Sequence, residues 1–441
     1  MVMRNLCFIL FLSVISLNCQ RELNFPPAPP GPSVPAVTTT PVTSVTNTAA
    51  LSGGNVTADG GSAVINRGIC WGVSPNPALT GNHTGDGTGT GSFTSWVSGL
   101  SVNTIYHVRA YATNSTGIGY GNDISFTTTN LPPEVYVAGF EYNGTATVAK
   151  VWKNGVLTEL SNGLFNAEAW SVFVSGADVY VTGNEFNGTR HVAKLWKNGV
   201  ATSLTDGTNN AYARSVFVSG TDVYVAGREN NGTNDVAKIW KNGVAISLTN
   251  GSFNAVANSV FVSGTDVYVT GSENNAKIEP RLWKNRISAA LSGSGFDSQA
   301  YSVYVYGTDV YVAGDEFVTG SGGVAKLWKN GIATALPGGP CNIAYALCVF
   351  AAGTDVYVAG NATNCSQNNA TLWKNGVLAT LSNSPFGGNA NSVFVYGNDV
   401  YVAGRDDNSP STGIVKYWKN GVSTSLTGGA NYATATSIFV K

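Results

Sequence analysis

The chain is poor in charge and in the residues that most enzymes use for chemistry. Only 11% of its 441 residues are Asp, Glu, Lys or Arg, its formal net charge is −1, and it contains three histidines. No basic stripe is present, which argues against a nucleic-acid partner. The HExxH pattern and a glycine-rich phosphate loop before a helix are absent, and His191, the one histidine after residue 133, has no partner at metal-ligand spacing. The sequence therefore predicts a protein that is not an enzyme and that has no metal site and no cofactor.

The amino end is typical of an export signal. Arg4 precedes an apolar run over residues 6–17, which is too short to span a bilayer. Cys19 follows Ser16, Leu17 and Asn18, and this segment resembles a bacterial lipobox, which implies acylation of Cys19. Six prolines over residues 25–37 favour an extended, stiff stalk. We therefore expect a signal peptide with a lipobox at 1–19 and a proline-rich linker at 20–35.

This amino end also predicts where the protein resides. The expected product is an exported lipoprotein of the cell surface or outer membrane, which touches the membrane only through its amino-terminal lipid anchor. The alternative is a plain secretory signal with an incidental cysteine. In that case the protein is secreted or periplasmic.

Residues 36–130 have the pattern of a small β-sandwich. Tyr106, Val108, Ala110 and Ala112 alternate with more polar positions, as expected for a strand with one buried face. The motifs of this region lie at residues 67–72, 85–93, 100–112, 114–121 and 126–128. Together they resemble the fibronectin type III-like modules of bacterial surface proteins. The resemblance implies a spacer domain.

A repeat of about 44 residues fills the region 133–441. It is marked by a Trp-Lys-Asn turn whose tryptophans, by subtraction of their numbers, lie 43 to 45 residues apart: Trp152, Trp196, Trp240, Trp283, Trp328, Trp373 and Trp418. Each copy contains four short runs rich in valine and aromatic residues, and an Asn-Gly pair predicts a hairpin between the last two runs. This period with four strands per copy is typical of a β-propeller.

The ends of the repeat region predict how it closes. The region opens with the second strand of a copy, near residue 135, and ends with the first strand of a copy at residues 437–440. The last strand should complete the first blade and leave no open sheet edge. The predicted fold class is all-β, with a fibronectin type III-like β-sandwich and a seven-bladed β-propeller of WKNG-type repeats at 133–441, closed by pairing of its amino- and carboxyl-terminal strands.

Most recurring residues have a structural explanation. The seven tryptophans are expected to fill the space between blades. Six aspartates in the turn after each first strand are expected to satisfy turn backbone groups: Asp178, Asp222, Asp266, Asp309, Asp355 and Asp399. An acid after the second strand recurs with a cation in the third: Glu141 with Lys150, Glu185 with Lys194, Glu229 with Lys238, Glu273 with Arg281, Glu316 with Lys326, and Asp406 with Lys416. One copy has Ala362 and Thr371 instead, so both charges vanish together, which indicates a cross-strand ion pair.

Three of the six cysteines lie in one copy of the repeat. Cys341 and Cys365 fall in loops that emerge on the same face of a four-stranded blade, so a disulfide between them is predicted for an exported chain. The alternative is three free thiols, and Cys348 replaces a serine of the first strand. Cys70 is expected to be a buried single cysteine.

The positions that differ between copies predict a binding site. An alanine recurs two residues before the start of each first strand, and the residues on either side of it change freely. If the strand alternates regularly, both neighbours ring the mouth of the central channel. The candidate ligand-binding residues are Glu168, Trp170, Tyr212, Arg214, Asn258, Tyr301, Tyr345 and Asn391. Loops after the second strand add Phe140, Phe186, Arg190, His191, Arg228 and Arg405.

This set of residues favours recognition without catalysis. Aromatic faces with amide groups suit a glycan or an exposed segment of a surface or envelope protein. One alternative is an assembly platform for another envelope protein, and another is a solvated rim that varies without a role. A carbohydrate-active hydrolase or lyase would need two converging unpaired carboxylates, and Glu168 is the only obvious free acid at the mouth.

Overall fold

The computed structural model describes residues 31–291, 295–318, 322–382 and 384–441. The predicted signal peptide, Cys19 and most of the predicted linker lie outside these residues. The chain divides between Pro132 and Pro133 into two compact units. The described residues form β-strands, together with one 3-10 turn at Gly339–Cys341, so the all-β class is confirmed. Among these residues there is no helix of the length and hydropathy needed to cross a membrane.

The first unit consists of two antiparallel sheets. Its strands are β1 (Ala36–Thr43), β2 (Ala49–Ala58), β3 (Asn66–Gly72), β4 (Asn82–His83), β5 (Gly91–Ser98), β6 (Ile105–Asn114), β7 (Gly117–Tyr120) and β8 (Ile124–Thr127). One sheet has the order β1-β2-β5 and the other β4-β3-β6-β7, with β8 also paired to β6. Val56 and Val97 from the first sheet share a core with Ile69 and Val108 from the second. The predicted alternation along β6 is confirmed, because Tyr106, Val108, Ala110 and Ala112 are all buried.

The second unit consists of seven antiparallel sheets of four strands each. Three strands of sheet I are β9 (Val135–Tyr142), β10 (Thr147–Lys153) and β11 (Val156–Glu159). Sheet II contains β12 (Ala167–Ser175), β13 (Asp178–Phe186), β14 (His191–Lys197) and β15 (Val200–Ser203). Sheet III contains β16 (Ala211–Ser219), β17 (Asp222–Asn230), β18 (Asp235–Lys241) and β19 (Val244–Ser247). Sheet IV contains β20 (Asn254–Ser263), β21 (Asp266–Asn275), β22 (Lys277–Lys284) and β23 (Ile287–Ala290).

The remaining strands continue the same plan. Sheet V contains β24 (Asp297–Tyr306), β25 (Asp309–Val318), β26 (Gly322–Lys329) and β27 (Ile332–Ala335). Sheet VI contains β28 (Ala344–Ala352), β29 (Asp355–Thr363), β30 (Asn368–Lys374) and β31 (Val377–Thr380). Sheet VII contains β32 (Gly388–Tyr396), β33 (Asp399–Asp407), β34 (Gly413–Lys419) and β35 (Val422–Ser425), and the last strand is β36 (Ala433–Val440). In sheets II to VII neighbouring strands along the chain pair with one another, so each of these six sheets is a meander.

The last strand of the chain is the fourth strand of sheet I. β36 pairs antiparallel with β9, with Ile438 opposite Val137 and Val440 opposite Val135. The backbones of Glu134 and Lys441 exchange hydrogen bonds of 2.9 and 3.1 Å just beyond this pairing. Sheet I is therefore assembled from the two ends of the unit, and its strand β9 has no open edge.

The inner strand of each sheet, which is β36 in sheet I and the first strand of each other sheet, contributes one aromatic ring to a closed cycle. Neighbouring ring centroids lie 4.4 to 5.0 Å apart, and the last ring contacts the first. The seven rings are Phe173, Phe217, Phe261, Tyr304, Phe350, Phe394 and Phe439. Edge-to-face and tilted ring pairs at this spacing are attractive. The seven inner strands therefore surround one axis.

Serine side chains join the inner strands to one another. The Val216 amide donates to Ser171 Oγ of the preceding sheet at 3.3 Å, and the Val172 amide donates to Ser437 Oγ at 3.2 Å. Such amides lie on the free edge of a sheet, where a missing acceptor would be costly. At the junction of sheets VI and VII, Cys348 stands in the serine's place, and its Sγ lies 3.9 Å from Val393 O.

The seven tryptophans pack between adjacent sheets, as predicted. All seven are at most 2% exposed. Trp196 of sheet II shares a core with Tyr136 and Ala138 of sheet I, and the same arrangement recurs at the other junctions. Burial of such large aromatic surfaces is the main apolar contribution at each junction.

The predicted cross-strand ion pairs are confirmed. In sheet I, Lys150 Nζ lies 2.7 Å from Glu141 Oε2, and the five equivalent pairs form in the other charged sheets. Lys150 stands opposite Gly139, so the pair is diagonal across the ladder and not directly opposed. In sheet VI the hydroxyl of Thr371 instead donates to Asn369 O at 2.9 Å.

The predicted role of the turn aspartates is wrong. In sheet III, Asp222 accepts from Lys241 at 2.7 Å and from Asn242 Nδ2 at 2.8 Å, and Asp178 has the same two kinds of partner. These carboxylates thus bind side chains of the Asn-Gly hairpin and not the backbone of their own turn. The reason is register: Tyr224 pairs with Lys241, which brings the two turns to the same end of the sheet.

A chain that ends at residue 432 should lose the fold of the second unit, because removal of β36 unpairs β9 and interrupts the aromatic cycle. The expected result is loss of the cooperative unfolding transition of this unit in calorimetry and in near-ultraviolet circular dichroism. The matched control moves residues 433–441 ahead of Glu134 through an Asn-Gly turn, which restores the strand covalently. An unchanged melting temperature in the truncated chain would contradict the closing role of β36.

Candidate functional site

A cavity of about 330 Å³ lies at one end of the axis, and we call it the mouth cavity. Every sheet contributes to its wall at the residue that follows the recurring alanine of the inner strand. These residues are Trp170, Arg214, Asn258, Tyr301, Leu347, Asn391 and Thr436. They are joined by Phe140, Asn389, Arg405, Tyr432 and Thr434. The cavity therefore has an irregular chemical lining on a repeated backbone.

A β-bulge in each inner strand creates this lining. The pairing of inner and second strand shifts register between the alanine and the serine in six sheets, and between Ala346 and Cys348 in sheet VI, so the residue between them has no partner. A bulge re-aims the side chain of its extra residue. In sheet II the bulged residue is Trp170, and Gly183, opposite Ala169, has no room for a side chain because the carbonyl of Glu168 lies against it.

The bulge corrects the predicted membership of the site. Trp170, Arg214, Asn258, Tyr301 and Asn391 line the mouth cavity, whereas Glu168, Tyr212 and Tyr345 do not. The extra residue breaks the regular alternation, and in sheets II, III and VI only the residue after the alanine lines the cavity, whereas Asn389 and Thr434, which stand before the alanine, line it as well. The three excluded side chains instead stand opposite second-strand residues: Glu168 opposite Asn184, Tyr212 opposite Arg228, and Tyr345 opposite Asn361.

Several lining residues were not among the eight sequence candidates. Leu347, Asn389, Thr434 and Thr436 flank the recurring alanine, so the prediction that both neighbours of this alanine ring the mouth covers all four. Phe140 and Arg405, expected as neighbours, do line the cavity. Tyr432 lies just before β36 and carried no repeat signal.

Trp170 and Arg214 form the most ordered part of the wall. The Arg214 guanidinium carbon lies 4.5 Å from the centre of the Trp170 ring, an arrangement that gives a cation–π attraction. Trp170 Nε1 donates to Asn184 Oδ1 at 2.9 Å, which fixes the indole. The rings of Phe140 and Trp170 pack edge to face, with their centroids 5.7 Å apart. Burial lowers the pKa of Arg214, and the nearby positive charge of Arg228 acts in the same direction.

Two other sheets, IV and VII, supply amide groups to the lining. Asn391 Nδ2 donates to Thr434 Oγ1 at 3.2 Å and to Ala435 O at 2.7 Å, and Asn258 Nδ2 donates to Ala300 O at 2.9 Å. These bonds fix the amide planes and use only the donor groups. The carbonyl oxygens of the two side chains receive no hydrogen bond from the described residues, so they can accept from a ligand hydroxyl.

A buried acid lies behind the wall. Asp315, which stands opposite Gln299 on β25, is 5% exposed and hydrogen-bonds the Tyr301 hydroxyl. Burial raises the pKa of Asp315 to about 6, and the Tyr301 hydrogen bond opposes this rise. Burial also raises the pKa of the Tyr301 hydroxyl. The sequence reasoning missed Asp315 because it compared positions along the first strands and not along the second.

No carboxylate lines the mouth cavity within the part of the chain that the structure describes. Glu168 lies outside the cavity, and Asp315 is covered by Tyr301. The two converging acids that a glycoside hydrolase needs are therefore not assembled by these side chains. The described residues also contain no group of three or more histidine, cysteine or acidic side chains arranged to hold a metal ion.

The other end of the axis is apolar. A second cavity of about 320 Å³ is lined by the aromatic cycle together with Val172, Val303 and Ile438. It offers few polar groups beside Ser302 and Ser392, so it lacks the hydrogen-bonding groups that a specific site for a polar ligand needs.

The structure pairs Cys341 with Cys365 in a disulfide, with Cα atoms 5.3 Å apart. Cys341 ends the 3-10 turn before β28 and Cys365 lies in the loop after β29, at the same end of sheet VI. Cys70 and Cys348 are free thiols. Burial raises the pKa of Cys70 to about 11 and also raises the pKa of Cys348, so neither is primed as a nucleophile.

Replacement of Asp315 by Asn should change the pH dependence of stability. An acid whose pKa is higher in the folded state than in the unfolded state binds its proton more tightly when folded, so stability falls as the pH rises from about 4 to 6. Asp315→Asn removes this fall and should stabilise the protein by about 1–3 kcal/mol at pH 8 but not at pH 4. Urea unfolding at both pH values measures the difference. Tyr301→Phe, which removes the opposing hydrogen bond, should steepen the fall, and equal effects of Asp315→Asn at both pH values would contradict the assignment.

Comparisons with known proteins add little. No protein-family model matches the chain, and no curated protein is similar to it in sequence. Among solved structures, the crystal structure of a DUF4784 family protein from Bacteroides caccae is similar, at 10% identity over 92% of this chain and 98% of that chain, with a TM-score of 0.27. A similarity at that score supports no statement about fold or function.

Proposed function

We propose that this protein is an exported, non-catalytic recognition protein that binds a glycan in the mouth cavity. The observation that carries the proposal is the lining of that cavity, where Trp170 and Tyr301 stand beside the free amide oxygens of Asn258 and Asn391. Aromatic faces bind the apolar face of a sugar ring, and fixed amides accept its hydroxyl protons.

The architecture proposed with this function is a seven-bladed β-propeller preceded by a fibronectin type III-like spacer. Seven four-stranded sheets around one closed aromatic cycle support the first, and two packed antiparallel sheets support the second. The sequence before residue 36 supports export and a lipid anchor at Cys19, so that the spacer would hold the propeller away from the membrane.

The size of the cavity favours a glycan over a protein surface. About 330 Å³ is at the lower end of the roughly 300–1,000 Å³ typical of small-ligand pockets. A flat protein partner would instead need a complementary patch of roughly 800 Å² on each side. A hydrolase or lyase is not proposed, because the described lining contains no carboxylate.

Glycan-array binding with paired variants tests this function. Trp170→Ala/Tyr301→Ala removes both aromatic rings of the cavity wall and should weaken glycan binding by tenfold or more, because each ring contributes about 1–2 kcal/mol of contact. The matched control is Tyr212→Ala/Tyr345→Ala, which removes two aromatic rings from the neighbouring strand position outside the cavity and should leave binding unchanged.

Circular dichroism must show that both double variants keep the fold. Equal loss in both would place the site outside the mouth cavity. If the native chain binds no glycan on the array but binds another envelope protein, the glycan proposal is wrong and the partner is a protein.

A further inference from the structure

We infer that the ligand of the mouth cavity is anionic, and that Arg214 binds its carboxylate. This inference rests on the proposed glycan-binding function and specifies its substrate class: an oligosaccharide that contains an acidic sugar. The reason is that Arg214 lines the cavity as a cation that has no ion pair with any described residue.

Arg214 differs from three other arginines of the second unit that form ion pairs. Arg228 lies 3.2 Å from Asp235, Arg405 lies 2.8 Å from Asp407, and Arg281 lies 2.8 Å from Glu279. Arg214 forms no ion pair and no hydrogen bond with any described residue, and its Nε is buried without an acceptor. Its guanidinium stacks on the face of Trp170.

A largely buried guanidinium lowers the stability of the folded protein unless hydrogen-bond acceptors satisfy its N–H groups. Removal of a charge from water is unfavourable, and native structures leave few buried donors unpaired. The Trp170 ring compensates for part of this cost but accepts none of the five N–H groups. Glu168 attracts Arg214 electrostatically but forms no ion pair with it, and its Oε2 lies 3.5 Å from Asn184 Nδ2. The missing acceptors therefore come from whatever occupies the cavity.

The geometry suits a carboxylate on a sugar. The planar guanidinium can donate two parallel hydrogen bonds to a carboxylate, and stacking on Trp170 holds its plane. The same cavity is lined by Asn258 and Asn391, whose side-chain oxygens receive no hydrogen bond from the described residues and can accept from the hydroxyls of a sugar. A neutral sugar would satisfy the amides but leave Arg214 without a partner.

The test compares each acidic oligosaccharide with its own methyl ester, which keeps the sugar and removes the charge. Uronic-acid and sialic-acid oligosaccharides, free and esterified, are titrated into the full chain by calorimetry. We expect the free acids to bind about tenfold to a hundredfold more tightly than the esters, as for loss of one charge-assisted hydrogen-bonded pair.

Variants of the two arginines identify the residue. Arg214→Gln should abolish the preference for the free acid, and Arg214→Lys, which keeps the charge but not the planar fork, should restore part of it. Arg281→Gln is the matched control, since Arg281 is paired with Glu279 and lies outside the mouth cavity, and it should leave the preference unchanged.

The outcomes separate the two proposals. Equal binding of acids and esters, unaffected by Arg214→Gln, would overturn the anionic ligand and leave glycan binding intact. No binding of any charged or neutral oligosaccharide would overturn both. Binding of acidic peptides that depends on Arg214, without glycan binding, would keep the anion site and overturn the glycan.

Discussion

The pairing of β36 with β9 is the constraint on which the rest of the second unit depends. Sheets II to VII each arise from one continuous stretch of chain, but sheet I exists only when the two ends of the unit meet. Until then the aromatic cycle is interrupted and two sheet faces lack a neighbour. Because these contacts join residues about 300 positions apart, as with Val135 and Val440, closure has the largest loop-entropy cost of any pairing in the unit and should come late in folding.

Once closed, the unit separates structural positions from variable ones. The tryptophans, the serines of the inner strands and the glycines opposite the bulges repeat because each meets the same neighbours at every junction. The bulged residue has no cross-strand partner and lines the mouth cavity, and its side chain differs from sheet to sheet. The scaffold can therefore change its ligand through seven side chains without disturbing the packing between sheets.

The sequence predicted the repeated sheets and their ion pairs, but it did not predict all the residues that line the mouth cavity. The spacing of the tryptophans predicted seven copies of the repeat. The joint loss of charge at Ala362 and Thr371 predicted the ion pairs. Both predictions succeeded because each pattern reflects a contact between residues that are close in sequence. The bulge was missed because a period of two was assumed through Trp170, and one extra residue reverses that period. Asp315 was missed because its neighbour Tyr301 lies on another strand, and their meeting depends on register that the sequence does not state.

The seven bulged residues share one backbone geometry but no two neighbours have the same chemistry. An axis with sevenfold symmetry of backbone would present a ligand with seven equivalent orientations, whereas Arg214 and Asn391 stand at fixed, non-equivalent places around it. If a ligand binds in the mouth cavity as proposed, these non-equivalent side chains would hold it in a single rotational setting, with one ligand per chain. The remainder of a longer chain attached to it would leave the cavity in a defined direction, so the protein could distinguish the end of a polymer from its interior.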